Sequence, residues 1–379
     1  MILTQCAVCA TELGLSLGKK CGRCSTRYCG AECQVQHWKE GGHDQLCKPI
    51  KKAGGAEQYN ANKKYSEAVA VAAEACADDT KGQTCYICTQ ALHWKTKEGL
   101  VRGCACRGTA GFAHVSCLAE QAKILVAEAE ENNLDAKAFG ERFDRWHTCS
   151  LCEQKYHGVV KCALGWACWK TYMGRPETDR FWLLSMRQLA GGLYAAGHYN
   201  DALSVQEANL SMMRRLHVPE GVLLDVQSNL ATTYASLGRH ERALQIKRDV
   251  YSGRLKLLGE EHESTLRAAN NYASSLKDLS RFEEVKSLSR KVVPVARRIL
   301  GDSNDATLRM RSMYAEALCR ADGATLDDLR EAVTTLEDTA RIARRLMGGT
   351  HPVTAGIEEF LRNARAALAA RETPPTSKK

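Results

Sequence analysis

Fourteen cysteines and two histidines within the first 152 residues fall into two blocks of eight, at spacings that suit a metal ion. The first block runs Cys6-x2-Cys9, Cys21-x2-Cys24, Cys29-x3-Cys33 and His43-x3-Cys47. The second runs Cys85-x2-Cys88, Cys104-x-Cys106, His114-x2-Cys117 and Cys149-x2-Cys152. A close pair lets one turn of backbone offer two ligands to a tetrahedral zinc at about 2.3 Å, so two pairs make one site. Eight ligands per block therefore correspond to two ions, and the chain is expected to hold four Zn2+. Seven cysteines and one histidine divide into an all-cysteine site and a site of three cysteines with a histidine. Neither leaves a position open for water or substrate, which marks structural rather than hydrolytic zinc. The C-x2-C spacing in a long chain with no secretory signal argues against a disulfide framework.

These pairs must be held by elements that the rest of the chain supplies. At 379 residues two or three domains are expected. The formal charge of +9 counts cysteines as neutral thiols; zinc-bound thiolates remove about 6 units of it and leave about +3. A basic stretch remains at Lys48, Lys51, Lys52, Lys63 and Lys64. No aromatic residues interleave there to stack bases, so it reads as a solvated linker, and nucleic acid is not an expected partner. No apolar run approaches the ~20 residues that span a bilayer. A soluble protein of the cytoplasm or nucleus is expected, with a polar, disordered tail at 372–379.

In the first block, Tyr28, Cys29, Cys33, Gln34, His37 and Trp38 lead to His43 and Cys47. With the upstream pairs, this pattern resembles the MYND zinc finger over residues 6–47. The resemblance implies interleaved ligation: Cys6, Cys9, Cys29 and Cys33 on one zinc, Cys21, Cys24, His43 and Cys47 on the other. His37 is a competitor for His43 on composition alone. MYND fingers take short proline-rich peptides in a shallow groove, and Gln34 and Trp38 match positions used for that contact. Trp38 reads either as such an anchor or as packing over the second zinc site.

In the second block histidine is the fifth ligand rather than the fourth, and Cys104-x-Cys106 precedes it by a seven-residue gap. This resembles the RING-CH (RING-variant) domain. The resemblance implies crossed ligation, with Cys85, Cys88, His114 and Cys117 on one ion and Cys104, Cys106, Cys149 and Cys152 on the other. RING-CH domains occur in ubiquitin ligases, which use no covalent nucleophile but present a charged conjugating enzyme to a substrate lysine. Ile87 is the implied contact to that enzyme, with Leu151 beside it. The block departs from the family in three ways. Gln121 stands where an aromatic is common, Glu153 follows the last ligand where a basic residue is common, and 31 residues separate Cys117 from Cys149. The stretch from Lys123 to Phe143 reads as an inserted helix, and Trp146 is a candidate to replace the missing aromatic at the enzyme contact.

Beyond residue 181 the composition turns to Ala, Leu, Arg and Glu, and a repeat emerges. The segment from Asn229 to Ala243 recurs 42 residues later from Asn271 to Val285, and again from Met313 to Ala321, with an insertion near Gly323. An L-G-x-x-H/N-x-x-T turn recurs at Leu258 to Thr265, Leu300 to Thr307 and, with Met first, Met347 to Thr354. A less regular copy starts near Gln188. Such units are helical hairpins that bury their apolar faces by stacking, and they resemble the tetratricopeptide repeats of kinesin light chains. Asn229 and Asn271, at equivalent positions, are candidates for clamping an extended peptide or for bonding neighbouring repeats.

The fold class expected is mainly α: two small cross-brace zinc modules followed by an all-α tetratricopeptide-type superhelical array. The boundaries read as a MYND-type finger at 1–50, a helical basic linker at 51–80 and a RING-CH-type module at 81–157. A linker at 158–180, repeats with a capping helix at 181–371 and the tail follow. Within 158–180, Cys162, Trp166, Cys168 and Trp169 match no motif and read as apolar packing. The functional expectation is a zinc-binding adaptor-type ubiquitin ligase whose partners are proteins: a conjugating enzyme at the RING-CH module and substrates at the finger and repeats. The alternatives are a non-enzymatic interaction scaffold and a chromatin or transcription regulator.

Overall fold

The computed structural model describes residues 5–11, 13–14, 17–349 and 351–372. The chain divides into two compact units, residues 1–218 and 219–379.

In the first unit, a two-stranded antiparallel ribbon, β1 (Lys19–Lys20) and β2 (Arg27–Tyr28), sets Lys19 opposite Tyr28. Helices α1 (Ala31–Lys39) and α2 (His43–Lys52) follow. The apolar core here is small: Leu13, Tyr28, Ile50 and Ala56 around four cysteines.

The stretches expected as linkers are both helical. The first forms α3 (Ala56–Ala75), which buries Ala61, Tyr65, Val69 and Ala72 at helical spacing. The second forms α6 (Gly158–Tyr172), which is apolar all round and therefore buried, including Cys162, Trp166, Cys168 and Trp169. Between them lie α4 (Val115–Glu131), α5 (Ala136–Phe143) and a 3-10 turn at Asp144–Trp146. After α6 come α7 (Arg180–Ala195) and α8 (Tyr199–Arg215). A single hydrophobic core runs from Ala61 in α3 to Met212 in α8 and includes zinc-module residues such as Cys85, Phe112 and Cys149.

Two glycines make this possible. A Cβ on Gly165 would stand 2.9 Å from the Gln188 carbonyl oxygen, and one on Gly192 would stand 2.7 Å from the Lys161 carbonyl oxygen. Only glycine lets α6 and α7 approach so closely. The insertion between Cys117 and Cys149 docks on the same helices. Phe139 and Phe143 pack against Phe181, and Trp146 stands edge-on to Tyr172 at 5.8 Å. Arg175 makes a bidentate pair with Glu130, both bonds 2.8 Å, and lies 4.3 Å over Phe181.

The second unit holds α9 (Glu220–Ser236), α10 (His240–Leu258), α11 (Glu263–Asp278), α12 (Phe282–Leu300), α13 (Asp305–Arg320), α14 (Leu326–Met347) and α15 (Pro352–Glu372). Each helix packs on the next. The repeated turn has a physical explanation. Gly259, Gly301 and Gly348 all end a helix at φ 82°. His262 then accepts the Ser264 N–H at 3.1 Å, and Asn304 accepts the Ala306 N–H at 2.9 Å, as N-caps. The threonine closes the turn: Thr265 donates to the Arg254 carbonyl at 3.3 Å and Thr307 to the Ala296 carbonyl at 3.4 Å. At the end of each first helix, Gly238 and Ser280 occupy the same left-handed conformation, φ 73° and 57°. The insertion near Gly323 ends in a capping box between Thr325 and Asp328. Glu372, expected to open the disordered tail, instead ends α15 and pairs with Arg330 at 3.0 Å. The rest of that tail lies outside the described residues. No described helix is long and apolar enough to cross a membrane.

Candidate metal centres and the surface beside them

The sixteen ligand residues converge in four groups: Cys6, Cys9, Cys29, Cys33; Cys21, Cys24, His43, Cys47; Cys85, Cys88, His114, Cys117; and Cys104, Cys106, Cys149, Cys152. Within each group the ligand atoms lie within 4.8 Å of one another. These are the interleaved and crossed sets that the two resemblances imply. The eighteen cysteines form no disulfide.

The donor sets fit zinc in detail. His43 turns Nε2 toward Cys24 Sγ at 3.4 Å. His37 is not a competitor, because its Nδ1 bonds the Tyr28 hydroxyl at 3.0 Å while its ring packs on His43. In the second module His114 faces Cys88 Sγ through Nδ1 at 3.3 Å and directs Nε2 to the Ala91 carbonyl at 3.3 Å. A backbone acceptor on the outer nitrogen is what orients a metal-binding imidazole. The thiols are mutually coupled. The Thr11 hydroxyl and N–H hold Cys9 down at about 6, whereas the adjoining thiol Cys29 pushes Cys33 up to about 12. Burial and the neighbours Cys24 and Cys21 push Cys47 up to about 11. Four crowded thiols cannot all ionise alone; a dication at their centre is what permits it.

Local backbone explains why these segments bring their ligands together. The Ile87 N–H points at Cys85 Sγ and the Leu151 N–H at Cys149 Sγ, both at 3.4 Å, so the first and last pairs form matching knuckles. A bond of 3.1 Å between the Tyr86 and Ser150 hydroxyls ties the two knuckles together. Gly111, at φ 84°, turns the chain between Cys106 and His114 where a Cβ would strike the Cys106 side chain at 2.6 Å.

The interaction residues expected from sequence divide sharply. Ile87 and Leu151 sit at the knuckle tips, 37% and 51% exposed. Trp146 does not join them: it is 1% exposed, packed under the insertion, and cannot offer surface to a partner. Its aromatic bulk is spent on the α6–α7 core instead. Gln121 is half-buried on α4. Arg145 donates from both terminal nitrogens to Glu153, each at 3.1 Å, and to the Cys149 carbonyl, so this cation is held over the last knuckle. Sequence reasoning passed over Trp94, 69% exposed beside His93, whose ring stands 5.3 Å from His114. An exposed aromatic between the second and third ligands was the available signal. In the first module Trp38 stays 45% exposed while standing edge-on to His43 at 5.8 Å, and Gln34 is half-buried. Asn229 and Asn271 are both exposed on the first helices of their hairpins.

Two zinc-binding modules and a helical repeat array together define a zinc-binding adaptor or interaction protein. Family models agree with each part. A MYND finger matches residues 6–47, a RING-variant domain residues 85–135 and a tetratricopeptide repeat residues 224–298. The RING-variant match ends inside the insertion, and the geometry supplies the remaining pair, Cys149 and Cys152. Among solved structures, the chain is similar to a putative kinesin light chain of Podosopora anserina with nearly identical TPR-like repeats. The identity is 23%, covering 50% of this chain and 88% of that one, at a TM-score of 0.43. It is also similar to BtubC (BKLC) of P. vanneervenii, at 14% identity, covering 70% and 94%, with a TM-score of 0.33. No curated protein matches the chain.

Proposed function

We propose that the protein is an adaptor-type ubiquitin ligase holding four zinc ions, one in each ligand group. The RING-CH module recruits a ubiquitin-charged conjugating enzyme, and the repeats and MYND finger hold substrate. The observation that carries this reading is the pair of matched knuckles, fastened by Tyr86 and Ser150, which lift Ile87 and Leu151 out as a shared apolar surface. Trp94 is a further aromatic anchor on the loop leaving the first knuckle. Exposed apolar tips on a rigid metal frame suit a partner that must be bound in one orientation, since the chemistry is then catalysis by positioning.

The test is single-turnover discharge of ubiquitin from a panel of charged conjugating enzymes by the zinc-loaded full chain. The full chain is needed because a fragment of residues 80–160 would strip Phe139, Phe143 and Trp146 of the helices that bury them. Ile87→Ala should lower discharge by roughly tenfold or more, as truncation of a central apolar anchor does, without changing thermal stability. If no enzyme binds and none is discharged, the second reading takes over: an interaction scaffold built from the same modules. Gln121 on α4 and the Arg145–Glu153 pair, which differ from the family's pattern, are the observations favouring that scaffold.

A further inference from the structure

The basic stretch that reads as solvated linker in the sequence is not evenly solvated. Lys52 from the last turn of α2 and Lys63 from α3 line one open groove of about 450 Å3, together with Pro49, Tyr59, Asn62 and Ser66. The polar groups available there are donors. The Lys52 ammonium group and the Tyr59 hydroxyl have no partner among the described residues, while Lys63 makes no hydrogen bond there but acts through its charge on Glu67. Asn62 accepts on Oδ1 from Gln58 at 3.2 Å, which leaves its Nδ2 to donate, and Ser66 spends its own hydrogen on the Asn62 carbonyl at 3.1 Å. No carboxylate lines the groove. Glu67, one turn on, is already held by Lys64 at 2.8 Å.

The helix dipole accounts for part of this charge, because Lys51 and Lys52 close the last turn of α2, where cations are favoured. It does not account for Lys63, which lies in the interior of α3 and faces the same groove. Four donors around one small concavity, two of them cationic and with no carboxylate in the lining, match a small anion with several acceptor oxygens. A phosphate monoester has three such oxygens and a charge near −2 at neutral pH. A single aromatic ring, Tyr59, gives no succession of platforms for stacked bases, so a nucleic-acid strand fits less well.

We propose that this groove is a binding site for phosphoserine or phosphothreonine on a partner protein segment, with Lys52 and Lys63 on the phosphate and Tyr59 and Asn62 donating beside them. The site is separate from the RING-CH knuckles, and its occupancy does not depend on ligase activity.

The experiment uses the zinc-loaded full chain and two immobilised degenerate peptide libraries, identical except for a fixed central phosphoserine or serine. Retention on the phosphoserine library should exceed that on the serine library by about tenfold or more, as expected for charge-assisted bonds from two cations. The double variant Lys52→Gln, Lys63→Gln should abolish that preference while Lys51→Gln keeps it; all three residues are exposed, so folding is not at stake. Equal retention on the two libraries would overturn the proposal. So would a phosphoserine preference that survives the double variant, or tighter Lys52- and Lys63-dependent binding to polyuridylate RNA or to vesicles containing phosphoinositides than to the phosphopeptides.

Discussion

The two zinc modules use the same inventory, seven cysteines and one histidine, yet they are built on opposite terms. The MYND module has almost nothing else: a two-residue ribbon, two short helices and a core in which cysteines equal the other buried residues in number. The RING-CH module is embedded in a helical core reaching from α3 to α8. In the first, the ions are the interior. In the second, they shape the knuckles on a body that hydrophobic burial already supports. Equal ligand inventories therefore do not imply equal dependence on metal.

Zinc removal gives the largest separation of the two. A chelator should release 6–47 to complete, immediate amide hydrogen exchange, because a metal-built module takes most of its folding free energy from the ion. Amides in α6 and α7 should keep substantial protection under the same conditions. Simultaneous loss of protection in α6 and α7 would show that the helical core depends on the ions as fully as the finger does. A smaller effect isolates the core from the metal. Trp146→Ala should cost about 3–5 kcal/mol, the range for a buried aromatic, and lower the thermal midpoint of the first unit without changing the zinc content found by metal analysis. Loss of zinc from this variant would mean that the core and the last knuckle are one structure. The smallest effect probes the close crossing. Gly192→Ala forces a methyl toward the Lys161 carbonyl and should cost about 1–3 kcal/mol by overpacking, measured by denaturant titration; an unchanged midpoint would show that α6 and α7 can part without penalty.

The zinc ligands were legible in sequence because a tetrahedral site is mostly local: pairs two to four residues apart announce themselves wherever the chain goes. The repeats were legible for a related reason, since each turn carries its own cap and its own threonine bond, as His262 with Thr265 and Asn304 with Thr307 show. What stayed hidden was side-chain destination. Trp146 and Ile87 are both large apolar residues near ligands, and nothing in their spacing says that one is buried against Tyr172 while the other stands in solvent. Likewise Lys52 and Lys63 read as scattered charge until α2 and α3 pair. The segment around Cys162 carries no motif because its information is tertiary: a helix buried on every side has no amphipathic period to display.

The close approach at Gly165 and Gly192 bears on what the protein can reach. A module hung on a flexible tether explores a volume set by tether length, and its effective concentration at a target falls as that tether grows. Here α6 is a splint rather than a tether, joining the RING-CH knuckles to the first helical hairpin through packed side chains. The knuckles and that hairpin are therefore held in one fixed direction relative to each other, and two glycines set the angle.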